Sequence, residues 1–277
     1  MGFFRANYDR PGPGVSKDEP RKKGVARFFE LLFRDMGDLA KLNVLFFVTL
    51  IPTSVWFLFG IIGFYTPISL IISLLLAYPV GGAAAACIYY ITKMMRDEPS
   101  YVWFEFKRKF RENHKQAAPV GIFCMAFIYA QILIWSSLWR SLIEGESIGG
   151  FFWYFLAFLS IVFFLMIIPY VFMHFSYIEL KTRLILKNSV LMAFGYFPRT
   201  IMGALFGGML WLIYALFVPA PVIASPILVL LTMLILMLVC FTLCALLCLM
   251  WVWKPFDGQF KVEETLKTRS NETTEEE

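Results

Sequence analysis

The sequence predicts an all-α membrane protein, a polytopic bundle of six transmembrane helices. Of its 277 residues, 59% are apolar and only 16% are charged, whereas soluble domains carry about 25% charged residues. The apolar residues form runs about as long as the ~20 residues that a helix needs to cross a bilayer. These runs do not alternate apolar with polar residues, so the strands of a membrane barrel are not expected.

Six nearly charge-free runs give the expected spans, at residues 42–65, 67–92, 118–139, 147–177, 200–218 and 226–253. Pro67 follows the first run so closely that the first two helices should form a tight hairpin. Pro169 lies inside the long fourth run and should kink that helix or leave its last turns outside the hydrocarbon. The first forty residues are polar and basic, so no cleavable signal peptide is expected.

The basic residues predict the orientation of the spans. Of 25 Lys and Arg residues, all except Arg140 fall in residues 1–41, 93–117, 178–199 and 254–277. Under the positive-inside rule these four segments are cytoplasmic. An even number of spans with both termini inside follows from this distribution.

Two segments outside the spans combine apolar residues at helical spacing with basic residues. Residues 21–41 and residues 100–115 are therefore predicted to be amphipathic helices that lie in the membrane plane on an anionic leaflet. The second segment is the candidate lipid or partner surface, formed by Phe106, Lys107, Arg108, Lys109, Phe110 and Arg111. Lipid headgroups explain this pattern, so nucleic acid is not an expected partner.

The two ends of the chain differ in composition from the spans. Residues 1–20 are rich in Pro and Gly among charges and are expected to be a flexible cytoplasmic lead. Residues 254–277 end in three glutamates and are expected to be a disordered cytoplasmic tail. The membrane domain is accordingly expected to occupy residues 21–253.

Small residues and soft sulfur atoms mark two of the spans. Gly203 and Gly207 form a G-x-x-x-G pair and Gly82 precedes four alanines, which predicts close helix packing within the chain or between copies. The last span aligns sulfur atoms along one face, at Met233, Met237, Cys240, Cys244 and Cys248. Such ligands suit Cu(I), but Met and Cys are also ordinary apolar fillers. We expect packing, and neither a metal nor a cofactor.

Polar groups inside the spans are few. No Asp, Glu, Lys or Arg lies in their central portions, which argues against transport coupled to an ion. Gln131 is a candidate for the lining of a polar path or for a hydrogen bond between helices. His174 is a candidate proton site or a cap for carbonyls freed near Pro169. No hydrolase, zinc-protease or P-loop motif is present, so no catalytic residue is expected.

Residues 75–118 carry a more specific pattern, in which a Pro/Gly/small-residue helix leads through a polar turn into an F-x-x-x-F basic segment. The positions are Pro79, Gly81, Gly82, Ala83, Tyr89, Lys93, Glu98, Phe106, Phe110, Asn113 and Gln116. This pattern resembles the YesL-like family of bacterial integral membrane proteins, although the family has Gly-Pro where this chain has Pro79-Val80-Gly81. The stretch around Lys187, Asn188 and Ser189 is similar to the second half of that family.

The resemblance implies a small polytopic protein of the bacterial cytoplasmic membrane, often encoded beside carbohydrate-uptake systems and glycoside-degrading enzymes. It brings no catalytic residues. We therefore expect a non-enzymatic accessory or regulatory component, with ABC-type sugar permease subunits and anionic lipids as partners. The alternative is a facilitative transporter or channel for a small neutral solute, which would need a polar cavity through the bundle.

Overall fold

The computed structural model describes residues 22–62, 67–98, 100–143, 149–217, 241–266 and 268. Its helices are α1 (Gly24–Ile62), α2 (Pro67–Leu76), α3 (Tyr78–Met95), α4 (Val102–Ile143), α5 (Gly149–Tyr177), α6 (Thr182–Gly195), α7 (Phe197–Phe217) and α8 (Phe241–Phe260). Residues 262–266 form one further short helix. The described ranges contain no strand, and the predicted all-α membrane bundle is confirmed.

Five helical segments of the described chain are long and apolar enough to cross a membrane, namely Gly24–Gly60, Ile68–Met95, Val102–Trp135, Phe152–Tyr177 and Phe241–Phe260. A sixth is present if α6 and α7, which are bent by 98°, form one broken span. The run expected at residues 200–218 corresponds to α7. The last expected span lies partly outside the described residues, because these resume at Phe241.

The two expected in-plane helices are each joined to a span, and their orientation in the membrane plane stays a prediction. In α1, residues 24–34 lead into the first span across a kink at Asp35 (φ −111°, ψ 15°), where two helices meet. Residues 102–115 likewise begin the 42-residue helix α4, which continues through Pro119. At 1.5 Å per residue α4 is about 63 Å long, roughly twice the ~30 Å thickness of the hydrocarbon. A large part of α4 must therefore project beyond it.

Two other boundaries differ from expectation, those of the second run and of the last helix. The second run is divided at Ala77 into α2 and α3, and Pro79 occupies the first turn of α3, where its missing N–H leaves no helical bond unmade. The helix α5 runs through Pro169 without interruption. The helix α8 extends to Phe260 and is followed by residues 262–266. Residues 254–260 and 262–266 are therefore helical, where a disordered tail was expected.

Glycines bring the backbones of α3 and α4 into direct contact. A Cβ atom on Gly81 would lie 2.1 Å from the Ala117 carbonyl oxygen, and one on Gly121 would lie 2.3 Å from the Gly81 nitrogen. A Cβ on Gly82 would lie 2.8 Å from the Cα of His114. Only glycine fits at these positions, since backbone atoms leave no room for a side chain. The contact fixes the antiparallel register of the two helices.

This register places the charged first part of α4, residues 102–116, beside residues 82–95 of α3. The Tyr89 ring lies 4.6 Å from Lys109 Nζ, and Lys93 pairs with Glu105 at 2.7 Å. Residues 80–92 of α3 are all buried. Because a helix with this many charges is costly in hydrocarbon, we infer that the hydrocarbon ends near the contact of Gly81 with Gly121. Residues 82–92 of α3 are then covered by protein and not by lipid.

Two layers follow from this inference. The charged layer comprises residues 24–41 of α1, residues 82–98 of α3 and the turn after it, and residues 100–116 at and just before the start of α4. On the other side of the glycine contact, exposed apolar side chains form a belt along the bundle, at Val48, Ile51, Val55, Trp56, Leu58, Phe59, Ile68, Leu70, Ile71, Leu75, Phe123, Ile128, Phe152, Phe155 and Phe163. We call this the lipid belt, because contiguous exposed apolar surface of this extent requires a hydrocarbon environment.

The glycine contact can be tested by Gly81→Ala. We expect the added methyl group to separate α3 from α4 and to lower the free energy of unfolding by about 3 kcal/mol, as overpacking against rigid atoms does. Gly37→Ala is the control, because Gly37 is also helical and nothing lies within 4 Å of an added Cβ there. It should be neutral or stabilise by up to ~1 kcal/mol. Thermal unfolding in detergent measures both, and equal melting of the two variants would contradict the contact.

Candidate functional site in the charged layer

The turn that follows α3 is the most highly connected polar feature of the charged layer. It contains Arg96, Asp97 and Glu98, three consecutive charged residues between α3 and α4. Asp97 has a left-handed backbone (φ 62°), which Asp and Asn adopt more readily than other non-glycine residues. Asp97 faces α1, whereas Arg96 and Glu98 pair with each other and Arg96 also contacts α5 and α8. The turn thereby links α1, α5 and α8 to α3.

Arg96 is a nearly fully buried cation. Its guanidinium donates to the Tyr177 hydroxyl at 2.8 Å and to Glu98 Oε1 at 2.7 Å. It also lies over the rings of Tyr177 and Trp253, at 5.4 and 5.3 Å from their centroids. Burial works to lower the pKa of Arg96, but Tyr177 and Glu98 outweigh it and raise the pKa. Arg96 is therefore a permanently charged group held by α5 and α8.

Asp97 joins the turn to α1. Its carboxylate accepts hydrogen bonds from Arg27 and from Arg34, each at 2.6 Å. The same two arginines donate to the carbonyl oxygens of Met95 and Met94 at the end of α3. Burial works to raise the pKa of Asp97, but the hydrogen bonds and charges of the two arginines outweigh it and hold the pKa below its ordinary value. The basic residues of α1 thus bind protein groups.

A second ion-pair group joins α3 to α4. Glu105 is buried and pairs with Lys93 at 2.7 Å and with Arg108 one turn along α4. Arg108 and Lys109 both lie over the Tyr89 ring. Buried, paired charges of this kind orient neighbouring helices, since removing one partner leaves an uncompensated charge. The group explains why so charged a segment packs closely on α3.

The residues predicted as a lipid or partner surface divide into two sets. Phe106 is 8% exposed and belongs to the core, so its assignment to a surface is corrected. Phe110 is half-buried and stacks on Phe106 and His114. Arg108 and Lys109 are engaged with Tyr89, as described above. Lys107 and Arg111 are exposed and form no ion pair within the described chain. Of the six residues predicted as this surface, only Lys107 and Arg111 remain free basic residues.

The exposed aromatic residues of the charged layer lie at and just before the start of α4. Tyr101, Trp103 and Phe104 are 85%, 63% and 63% exposed. Trp103 lines a shallow groove of about 460 Å³ between the middle of α1 and the start of α4. The other groove residues are Ala40, Lys41, Val44, Leu45 and Val102. On α1, further exposed apolar residues lie at helical spacing, namely Val25, Phe29, Phe33 and Met36.

Polar candidates inside the bundle form separate clusters. Gln131 donates to Ser160 Oγ at 2.8 Å across the contact of α4 with α5. Thr53 joins the Ser73 carbonyl oxygen and the Tyr129 hydroxyl, both at 2.6 Å, between α1, α2 and α4. Because Ser160 and His174 are about 21 Å apart along α5, the structure does not bring Gln131 and His174 together.

His174 is fully buried where α5 meets α6 and α8. Its Nδ1 atom lies 2.7 Å from the Tyr170 carbonyl oxygen, to which it donates, and 3.2 Å from Ser189 Oγ. The rings of Phe256 and Phe260 are each 5.1 Å away. His174 therefore caps the carbonyl of Tyr170. It does not cap the carbonyl that lacks a hydrogen-bond donor because of Pro169. Its Nε2 atom has no hydrogen-bond partner in the structure described here.

The predicted packing glycines and the sulfur stripe meet each other. A Cβ on Gly203 would lie 3.2 Å from the Cys248 carbonyl oxygen, and one on Gly207 would lie 3.0 Å from Cys248 Cβ and 3.2 Å from the Cys244 carbonyl oxygen. The structure therefore places these glycines against α8 of the same chain, and the two cysteines pack as small apolar residues. Met233, Met237 and Cys240 lie outside the described residues.

Sequence reasoning missed the buried Arg96, its aromatic partners Tyr177 and Trp253, and the more exposed Asp97 beside them. Their only sequence signal is the run of charges at residues 93–98, since the aromatic partners lie far along the chain. Comparison with protein-family models, with curated proteins and with solved structures finds no match for this chain. The site is consequently defined by its geometry alone.

The Asp97 contacts predict a pH dependence of stability. A carboxylate whose pKa is held low in the folded state stabilises the protein above its ordinary pKa of about 3.9, and this stabilisation is lost as the pH falls through the lowered value. We expect Asp97→Asn to lower Tm by at least about 2 °C at pH 7 and the difference to shrink below pH ~4. Melting curves between pH 7 and pH 3 measure this.

Glu264→Gln serves as the control for that experiment, because Glu264 forms an ion pair with Lys261 in which both side chains are largely exposed. Such pairs contribute little to stability, so this variant should melt with the native chain at every pH. A constant difference between Asp97→Asn and the native chain down to pH 3 would contradict the role of the charge.

Proposed function

We propose that the chain is a non-enzymatic accessory or regulatory component of a bacterial carbohydrate-uptake system. It is a multi-pass protein of the cytoplasmic membrane with both termini in the cytoplasm. The distribution of Lys and Arg supports the orientation, and the resemblance of residues 75–118 to the YesL-like family supports the association with carbohydrate uptake. The partner in this proposal is a subunit of an ABC-type sugar permease.

The observation that carries the accessory role is the exposed apolar surface of the charged layer. Trp103 and Phe104 lie about 25 Å along α4 from Pro119, on the far side of the inferred hydrocarbon boundary. Phe29 and Phe33 on α1 are also exposed there. Lipid tails do not reach this surface, and large exposed apolar residues outside lipid mark protein–protein contacts. Aromatic residues are enriched at such contacts.

A second candidate, a facilitator for a small neutral solute, is favoured by the contact of α4 with α5. Gln131 Oε1, Trp135 Nε1 and the Tyr154 hydroxyl are buried there without hydrogen-bond partners in the described structure. The Trp135 and Tyr154 rings are 5.5 Å apart. Buried polar atoms without partners are costly in an apolar environment, and a bound hydroxylated solute would satisfy them. Their distance from His174 argues against a continuous path.

The accessory role predicts a specific loss on Trp103→Ala. The tagged chain, purified from its native membrane in mild detergent, should carry a permease or ATPase subunit at near-stoichiometric amount, identified by mass spectrometry. Trp103→Ala should reduce that amount at least about tenfold, as truncation of an aromatic contact residue worth more than ~1.4 kcal/mol would do. Phe123→Ala is the matched control, because Phe123 is 61% exposed on the same helix but lies in the lipid belt.

Retention of the subunit by Phe123→Ala together with its loss from Trp103→Ala supports the proposal. Recovery of the native chain without a permease or ATPase subunit, alone or as a homo-oligomer, overturns it. Solute flux in liposomes and its sensitivity to Gln131→Leu then become the decisive measurements for the second candidate.

A further inference from the structure

The helix α6 lies at the boundary between the charged layer and the lipid belt. Gln116 of α4, next to the residue that touches Gly81, donates to the carbonyl oxygen of Leu180 just before α6. Ser189 in the middle of α6 contacts His174 of α5. These contacts place α6 at the depth of the glycine contact. The sequence had indicated only a basic connection here.

The direction of α6 suits this depth. It is followed after one residue, Tyr196, by α7, and the two helices are bent by 98° relative to each other. Since α7 corresponds to a predicted span, a helix nearly perpendicular to it runs close to the membrane plane. Of the two segments that were expected to lie in this plane, residues 102–115 are continuous with the rest of α4, and residues 24–34 lead into the first span across the kink at Asp35. Among the described helices α6 has the orientation that was expected of those segments.

One face of α6 packs on the bundle and the remainder is exposed. Ile185, Ser189, Met192 and Ala193 form the buried face. Leu184, Leu191 and Phe194 are 45%, 60% and 49% exposed. Leu186 and Val190 are exposed as well, so five large apolar side chains on this 14-residue helix receive little cover from the described chain. A surface of this kind at the edge of the lipid belt requires an apolar neighbour.

The basic residues around α6 differ from the paired basic residues of α1 and of the α3 end. Arg27, Arg34, Lys93 and Arg96 are all engaged in ion pairs with acidic residues. The basic residues at α6 are exposed and form no ion pair within the described chain, namely Lys181, Arg183, Lys187 and Arg199. Arg183 and Lys187 are four residues apart and therefore share one face of the helix. Their charge is available to an external anion.

We propose that α6 is an interfacial helix that docks on an anionic phospholipid leaflet. Leu184, Leu191 and Phe194 insert among the lipid chains, and Arg183 and Lys187 bind headgroup phosphates. The long basic side chains can extend from an apolar surface to the headgroups, and each basic residue near an anionic leaflet adds about 1 kcal/mol of attraction. The proposal depends on the depth and direction of α6. It does not depend on the accessory role in carbohydrate uptake.

Charge complementarity selects this occupant over a protein partner. The exposed surface combines apolar side chains with four unpaired cations, and residues 178–199 contain one acidic residue, Glu179. An amphipathic helix with this composition at the bilayer interface binds anionic lipid through burial of its apolar side chains and through attraction of its charges to the headgroups. A protein partner for this surface would need an acidic apolar face inserted at the depth of the lipid headgroups.

The experiment compares two double variants of the full chain. Arg183→Gln with Lys187→Gln removes the two charges on α6, and Lys107→Gln with Arg111→Gln removes two exposed, unpaired charges at the same spacing on α4. Each protein is reconstituted in nanodiscs of phosphatidylcholine with a graded fraction of phosphatidylglycerol. Native mass spectrometry then measures the phosphatidylglycerol retained per chain. Melting in detergent checks that both variants fold as the native chain does.

We expect the α6 variant to lose its preference for phosphatidylglycerol over phosphatidylcholine by roughly 10- to 30-fold, from the attraction of two basic residues to an anionic leaflet. The α4 variant should keep the native preference within about twofold, because its charges lie farther from the inferred boundary. Equal loss in both variants would show only a general attraction between charges and would overturn the proposal. Unchanged lipid retention with loss of a stoichiometric protein from the α6 variant would also overturn it, in favour of a protein partner.

Discussion

The contact of two helix backbones at Gly81 and Gly121 is the constraint on which the rest of the architecture depends. An added Cβ at either glycine would lie within 2.3 Å of backbone atoms of the other helix. The contact fixes how far α4 slides along α3, and so which charged residues meet Tyr89 and Lys93. With another register, Glu105 would lose its partner or the charges would enter hydrocarbon. The inferred membrane boundary is a consequence of this single crossing.

The buried arginine explains how a charged layer can be closely packed. Arg96 is compensated by Glu98, by the Tyr177 hydroxyl and by two aromatic faces. Breaking a buried charge pair on one side typically costs about 3–5 kcal/mol. The turn that carries Arg96 also carries Asp97, which holds the start of α1 through two arginines. Three consecutive residues therefore fix the relative positions of four helices. The arrangement orients a surface and leaves the buried charges no access to a ligand.

Composition and charge distribution were sufficient to predict the helical membrane class and most of the spans, because the cost of lipid exposure acts on each segment locally. The boundary of the hydrocarbon was not predictable in the same way. The apolar stretch at residues 82–92 reads as part of a span, and only its pairing with the charged half of α4 shows that protein covers it. The contact of Arg96 with Trp253 was not predictable either, because these residues are more than 150 positions apart in the chain. Long-range pairing leaves no periodic signal in one sequence.

The position of the hydrocarbon boundary on α4 tests the account most directly. Nitroxide labels introduced one at a time at Lys107, Lys115, Phe123 and Ile128 in a cysteine-depleted chain report collisions with oxygen in lipid and with a nickel chelate in water. All four side chains are exposed, so the labels should not disturb packing. A hydrocarbon boundary near Gly121 predicts nickel-accessible labels at Lys107 and Lys115 and oxygen-accessible labels at Phe123 and Ile128. The accessibility should therefore change between residues 115 and 123. Oxygen-accessible labels at Lys107 and Lys115 would contradict it.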